Sequence, residues 1–165
     1  MALLFYQISS SYWFSYFIFF SALIVTIRSD FETFLISRYM TLALIPAGWL
    51  FSFTGLLPIG ILQSVTGTIF GYFILYSVAR FFLWVSGKEG MGQGDLELIA
   101  FMGSFLGVFG CWISLIIASQ LGALFGIGTM IALKQTRDIK IPFGPFLAFG
   151  AILFVLFQNF FIIFF

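Results

Sequence analysis

No histidine occurs anywhere in the 165 residues, and cysteine occurs once, at Cys111. The first absence removes Ser-His and Cys-His nucleophilic catalysis and every histidine-ligated metal site. The second removes an internal disulfide framework and any multi-cysteine metal cluster, so neither a metal nor another cofactor is expected. Charge is also scarce: 8% of the residues are charged, against about 25% in soluble domains. So few charges cannot cover a water-facing surface. The net charge of +1 has no basic patch behind it, which excludes nucleic acid as a partner. Met1 to Tyr12 holds no lysine or arginine, so it does not have the form of a cleavable signal peptide, and the first apolar segment is expected to stay in the mature protein.

What is abundant is apolar bulk: 62% hydrophobic residues, 26 of all residues being phenylalanine. The chain is therefore expected to be an all-α, polytopic membrane protein with the lipid bilayer as its surroundings. Charged residues punctuate it and leave uncharged runs at 1–27, 39–79, 98–133 and 141–165. One crossing needs about 20 residues. The outer runs fit one crossing each and the middle runs fit a hairpin each, which predicts six helices at roughly 12–28, 40–54, 58–86, 95–107, 111–133 and 144–164. The hairpins are expected to turn at Ser52 to Pro58 and at Gly107 to Gly110, where glycine and proline disfavour helix continuation. This arrangement gathers all seven Lys and Arg residues on one face, which the positive-inside rule makes cytoplasmic, with both termini on the other side. The whole chain, 1–165, is expected to form a single membrane-embedded domain.

The same parity puts Asp30 and Asp95 on one face and at one depth. Asp30 is expected to follow the first helix and Asp95 to open the fourth. Gly92-Gln93-Gly94-Asp95 is a G-x-G-D tetrapeptide in which Gly92 and Gly94 strip side chains from the backbone beside a carboxylate, so that an extended peptide can approach it. Two neighbouring aspartates do not both ionise readily. The ionised one can take a proton from water while the protonated one polarises a peptide carbonyl, which is aspartic-protease chemistry without metal or cofactor. The plainer alternative is that both are interfacial charges, with Asp95 capping its helix.

Three ordered stretches resemble the type IV prepilin peptidase family, the bacterial members of the G-x-G-D membrane aspartyl proteases. Gly90 to Asp95 with Leu96, Leu98 and Ala100 is similar to the family's second aspartate motif. Asp30 with Phe34-Leu35-Ile36 and Thr41-Leu42 is similar to the first. Ile141-Pro142-Phe143-Gly144-Pro145-Phe146-Leu147-Ala148 resembles the segment that opens the final helix. The similarity spans about residues 12–160. It implies a peptidase that removes the short basic leader of prepilins or pseudopilins at the cytoplasmic face of the bacterial inner membrane, with Asp30 and Asp95 catalytic. Pro142 and Gly144 are expected to form one wall of the site.

Three departures from the family pattern follow. The cysteine-rich, zinc-binding N-terminal domain of full-length members has no counterpart, so peptidase activity is expected without methyl transfer. The proline usual after the first aspartate motif is absent, with Ser37 near that place. Glu97 stands where lysine is common; it is expected to add negative charge beside the aspartates, raising their apparent pKa or favouring a basic leader. Gly67/Gly71, Gly103/Gly107 and Gly122/Gly126 are expected to permit close helix packing inside the bundle. Glu32, Glu89, Arg38, Lys134, Arg137 and Lys140 are expected to be solvated charges, Gln63, Gln120 and Gln135 to bond between helices, Cys111 to be a small core residue, and Phe154 to Phe165 to face lipid. Two rival functions remain: a small transporter or channel in which the aspartates bind a cation or proton, and a catalytically inactive or preflagellin-type relative. No feature specifies an oligomeric state.

Overall fold

The computed structural model describes residues 10–33, 38–87, 91–133 and 142–164. The motif positions Phe34 to Ser37, Gly90 and Ile141, the charges Glu89, Lys134, Arg137 and Lys140, and Gln135 lie outside the described residues. A 3₁₀ turn, Ser10–Tyr12, leads into five helices: α1 Trp13–Thr33, α2 Arg38–Phe53, α3 Ile61–Ser86, α4 Gln93–Leu133 and α5 Gly144–Phe164. No strand occurs among the described residues.

α4 is 41 residues long but is not one rod. Gly107 sits at φ 69°, ψ −174°, a conformation that only glycine adopts cheaply. Cys111 Sγ lies 3.8 Å from the carbonyl oxygen of Ile99. Twelve residues of straight helix would separate them by about 18 Å, so the chain doubles back at Gly107. α4 is thus two antiparallel arms, as the sequence predicts, but joined without a loop.

The other predicted turn is also present, with a defined closure. α2 ends in a Schellman-type cap: Leu56 N–H donates to Phe51 O at 2.8 Å and Gly55, at φ 74°, donates to Ser52 O at 3.3 Å. Pro58 falls in this turn, so α3 starts at Ile61 rather than at 58. α3 ends on Gly87, also left-handed, whose N–H reaches Leu83 O.

Two helix limits need correcting where they touch function. α1 continues past residue 28 to Thr33, because Arg28 and Glu32 form an i,i+4 ion pair of 2.8 Å along it. Asp30 is therefore inside α1, not after it. α4 begins at Gln93, so Asp95 lies within its first turn rather than at the N-cap position.

The glycine expectation is met by backbone-to-backbone packing. A Cβ on Gly67 would strike Gly103 O, one on Gly103 would strike Gly67 O, and one on Gly71 would strike Ile99 O. α3 and the first arm of α4 touch along this seam. Gly122 instead receives the rings of Phe143 and Phe146. Phe19 of α1 stacks on Phe105 and tilts against Phe101, with centroids 5.1 and 5.3 Å apart, and all three are fully buried. Cys111 is buried as expected. Phe154 and Val155, expected toward lipid, are core residues; hydropathy does not distinguish a lipid-facing side from a protein-facing one.

α3 and the Gln93–Ala132 stretch of α4 are long and apolar enough to cross a membrane. The exterior is correspondingly greasy: Trp84 is 82% exposed, Phe53 76% and Leu62 74%. Patches of this kind mark surfaces that water does not cover.

Candidate functional site at one end of the bundle

The contacts gather the end of α1 and the starts of α2, α4 and α5 at one end of the molecule. Asp30 and Asp95 both lie there, and both are buried. Each meets a helix N-terminus, where the first N–H groups have no partner within their own helix. The carbonyl of Phe143 accepts the N–H groups of Phe146 and Leu147, so Phe143 acts as the cap of α5 and leaves the Gly144 N–H free. That N–H donates to Asp30 Oδ2 at 3.0 Å. Asp95 turns back toward the backbone N–H of Gly92, just ahead of its own helix, as an acid at the third helical position does in a capping box. The two carboxylates, 65 positions apart in sequence, are close enough to interact electrostatically.

Two opposing influences act on them. Both helix N-termini favour an anion. Burial and the neighbouring carboxylate oppose a second one. Asp30 shows the balance: it is buried, and the Gly144 N–H at the start of α5 meets it. Two carboxylates in this setting do not both ionise readily, so such a pair can share one proton.

Gly92 is exposed and Gly94 half-buried. A Cβ on Gly92 would stand 3.8 Å from Asp95 Oδ2, in the space over that carboxylate, which bare glycine leaves open. Pro142 is half-buried and Gly144 buried. Pro142, Pro145 and Phe146 join Leu121, Phe125 and Phe149 around an apolar cleft of about 710 Å³ beside this end. A larger cleft, about 820 Å³, lies at the other end near Tyr16, Gln63, Gly107 and Gln158. It is remote from both aspartates, so size does not locate the chemistry here; the acids do. Among the described residues no group of three or more His, Cys, Asp and Glu could hold a metal ion.

Glu97 has an arrangement that the sequence did not disclose. It lies two residues past Asp95, about 200° around the helix, and is directed at α2. Its Oε1 pairs with Arg38 Nε at 2.7 Å, and the Thr41 hydroxyl lies 3.4 Å from its Oε2. Its side chain is 7% exposed. Arg38, expected to be merely solvated, thus has a buried partner. The available signal was weak: opposite charges, each at the start of an apolar helix and on the same face.

A model of the type IV leader peptidase family matches residues 17–127, a stretch that includes both aspartates. The chain is 39% identical over 120 residues to a prepilin leader peptidase/N-methyltransferase of Aeromonas salmonicida, covering 72% of this chain and 40% of that protein. It is 40% identical over 91 residues to the protein of the same name from Pseudomonas aeruginosa, covering 52% of this chain and 30% of the other. With the one from Burkholderia pseudomallei it shares 32% identity over 130 residues, 79% of this chain and 42% of the other. The chain spans about two fifths of the length of the relatives from Aeromonas salmonicida and Burkholderia pseudomallei. No solved structure matches.

Proposed function

We propose a proteolytic function from one premise: the chain belongs to the type IV leader peptidase family. The reading is a membrane aspartic endopeptidase that removes the basic leader from type IV prepilins or pseudopilins. Asp30 and Asp95 are the catalytic pair. The ionised carboxylate takes a proton from an attacking water; the protonated one donates to the scissile carbonyl and so stabilises the developing oxyanion. The bare backbone at Gly92 and Gly94 and the Pro142–Gly144 segment border the path of the extended peptide. The methyl transfer in the relatives' names is left with those proteins, since the matched stretch covers only part of their length.

The observation that carries this reading is the meeting of two buried aspartates from opposite parts of the chain, one held by the Gly144 N–H. Supporting the location, every charged residue described near a helix end (Arg28, Asp30, Glu32, Arg38, Asp95 and Glu97) belongs to the aspartate end, and Arg80 lies toward the same end of α3. By the positive-inside rule that end faces the cytoplasm. Six helical arms then cross the bacterial inner membrane as one peptidase unit, with both termini on the far side. α2, at 16 residues, is short for a crossing and fits best where the bundle rather than lipid surrounds it.

Co-expression with a prepilin-type substrate, following leader removal by size, tests the proposal. Wild type cleaves, and Asp30→Ala and Asp95→Ala each abolish cleavage. Cleavage that survives either substitution removes that residue from the pair. A wild type inert toward every prepilin offered favours the transporter or inactive-relative readings instead.

A further inference from the structure

Resting on the peptidase reading, we propose that the Arg38–Glu97 ion pair is a positioning device that holds Asp95 in place by fixing the start of α4 against the start of α2. The two aspartates are anchored on different helices: Asp30 to the start of α5 through Gly144, and Asp95 to its own helix start. Arg38 is the first residue of α2 and follows Asp30 by eight positions; Glu97 follows Asp95 by two. The 2.7 Å contact ties the start of α4 to the start of α2, and Glu97 stands only about half a helical turn from Asp95. The helical link is rigid, so fixing Glu97 fixes Asp95.

The pair is unequal in a way that suits a bolt. Glu97 is almost wholly buried while the Arg38 side chain is 63% exposed. A buried carboxylate that loses its partner is costly, so the start of α2 is drawn to Glu97 and held there. Thr41, one turn further along α2, adds a second contact to the same carboxylate. Glu97 touches no reacting atom in this scheme; it acts through the carboxylate two residues away.

The competing role for Glu97 is recruitment of a basic leader by its negative charge, and the two roles predict opposite signs. If Glu97 recruits, Arg38→Ala frees its charge and KM falls. If the pair positions, Arg38→Ala and Glu97→Gln each lower kcat by about 10- to 100-fold with KM little changed, as misplacement by about 1 Å does. The double variant is then no worse than either single one, and the exchange Arg38→Glu/Glu97→Arg recovers most of the rate. Thermal unfolding in detergent checks that each variant is folded. Should the single variants fail to accumulate, the exchange decides: recovered cleavage upholds the bolt and its absence overturns it. Wild-type kcat in Arg38→Ala, a fall in its KM, or losses that multiply in the double variant also overturn it. A wild type that cleaves nothing overturns the peptidase reading itself, whereas a cleaving wild type with unaffected variants overturns only the bolt.

Discussion

At the end that carries Asp30 and Asp95, helices are held to one another by an ion pair and by a carboxylate on a helix N-terminus. At the far end the same helices are held by hydroxyl-to-carbonyl bonds and closed backbone turns. Ser15 Oγ donates to Leu56 O and Ser52 Oγ to Ile59 O, each at 2.7 Å, and the chain reverses on Gly107 alone. Both ends satisfy buried polar groups, but among the described residues only the first carries buried carboxylates. Stability at the far end is local and nearly independent of pH. At the aspartate end, the features that hold the helices are also those proposed to do the chemistry, so a change there is expected to alter function before it alters fold.

The largest expected effect sharpens this contrast. Asp30→Asn or Asp95→Asn lowers cleavage by at least about a thousandfold, as loss of a general acid or base does, while the protein stays folded. The melting temperature is expected to stay near that of wild type while cleavage is lost; a large fall in melting temperature breaks the distinction between the two ends.

The seam between them comes next. Gly103→Val drives a side chain into the backbone of Gly67 and is expected to cost at least about 3 kcal/mol, the upper part of the range for overpacking, because backbone yields less than a rotamer. Cleavage in that variant is lost with the fold, as unfolding in detergent reports. Smaller is Gly92→Val at the aspartate end, where a side chain occupies the space over Asp95 without a clash. It raises KM about tenfold, roughly 1.4 kcal/mol of peptide binding, with melting unchanged. Smallest is Ser15→Ala at the far end, which loses one bond to Leu56 O and about 1 kcal/mol, read as a small fall in melting temperature at unchanged kcat and KM.

How much of this was legible depended on whether a feature is written in one residue or shared between two. Gly107 and the Ser52–Pro58 turn were readable because glycine and proline carry their conformational meaning alone. Asp30 and Asp95 were readable as a pair because acids are so rare in this chain that their placement constrains the topology. Helix ends are less so: charges read as stops, yet Arg28 and Glu32 pair along α1 through its own charged turn. The Arg38–Glu97 contact and the Gly144 N–H at Asp30 were not readable as such, since each depends on a partner 59 or 114 positions away. The burial of Phe154 and Val155 was hidden for another reason. Where lipid and protein interior are equally apolar, hydropathy does not say which one a phenylalanine faces.

The reversal at Gly107 has a practical side. A hairpin that spends a single residue on its turn offers no slack for an epitope, a protease site or a reporter fusion. Tags meant to reveal which side of the membrane this end occupies belong in the 54–60 turn, where Gly55 has open space around it. At Gly107 the same tag would pry apart the α3–α4 seam and report on a damaged protein.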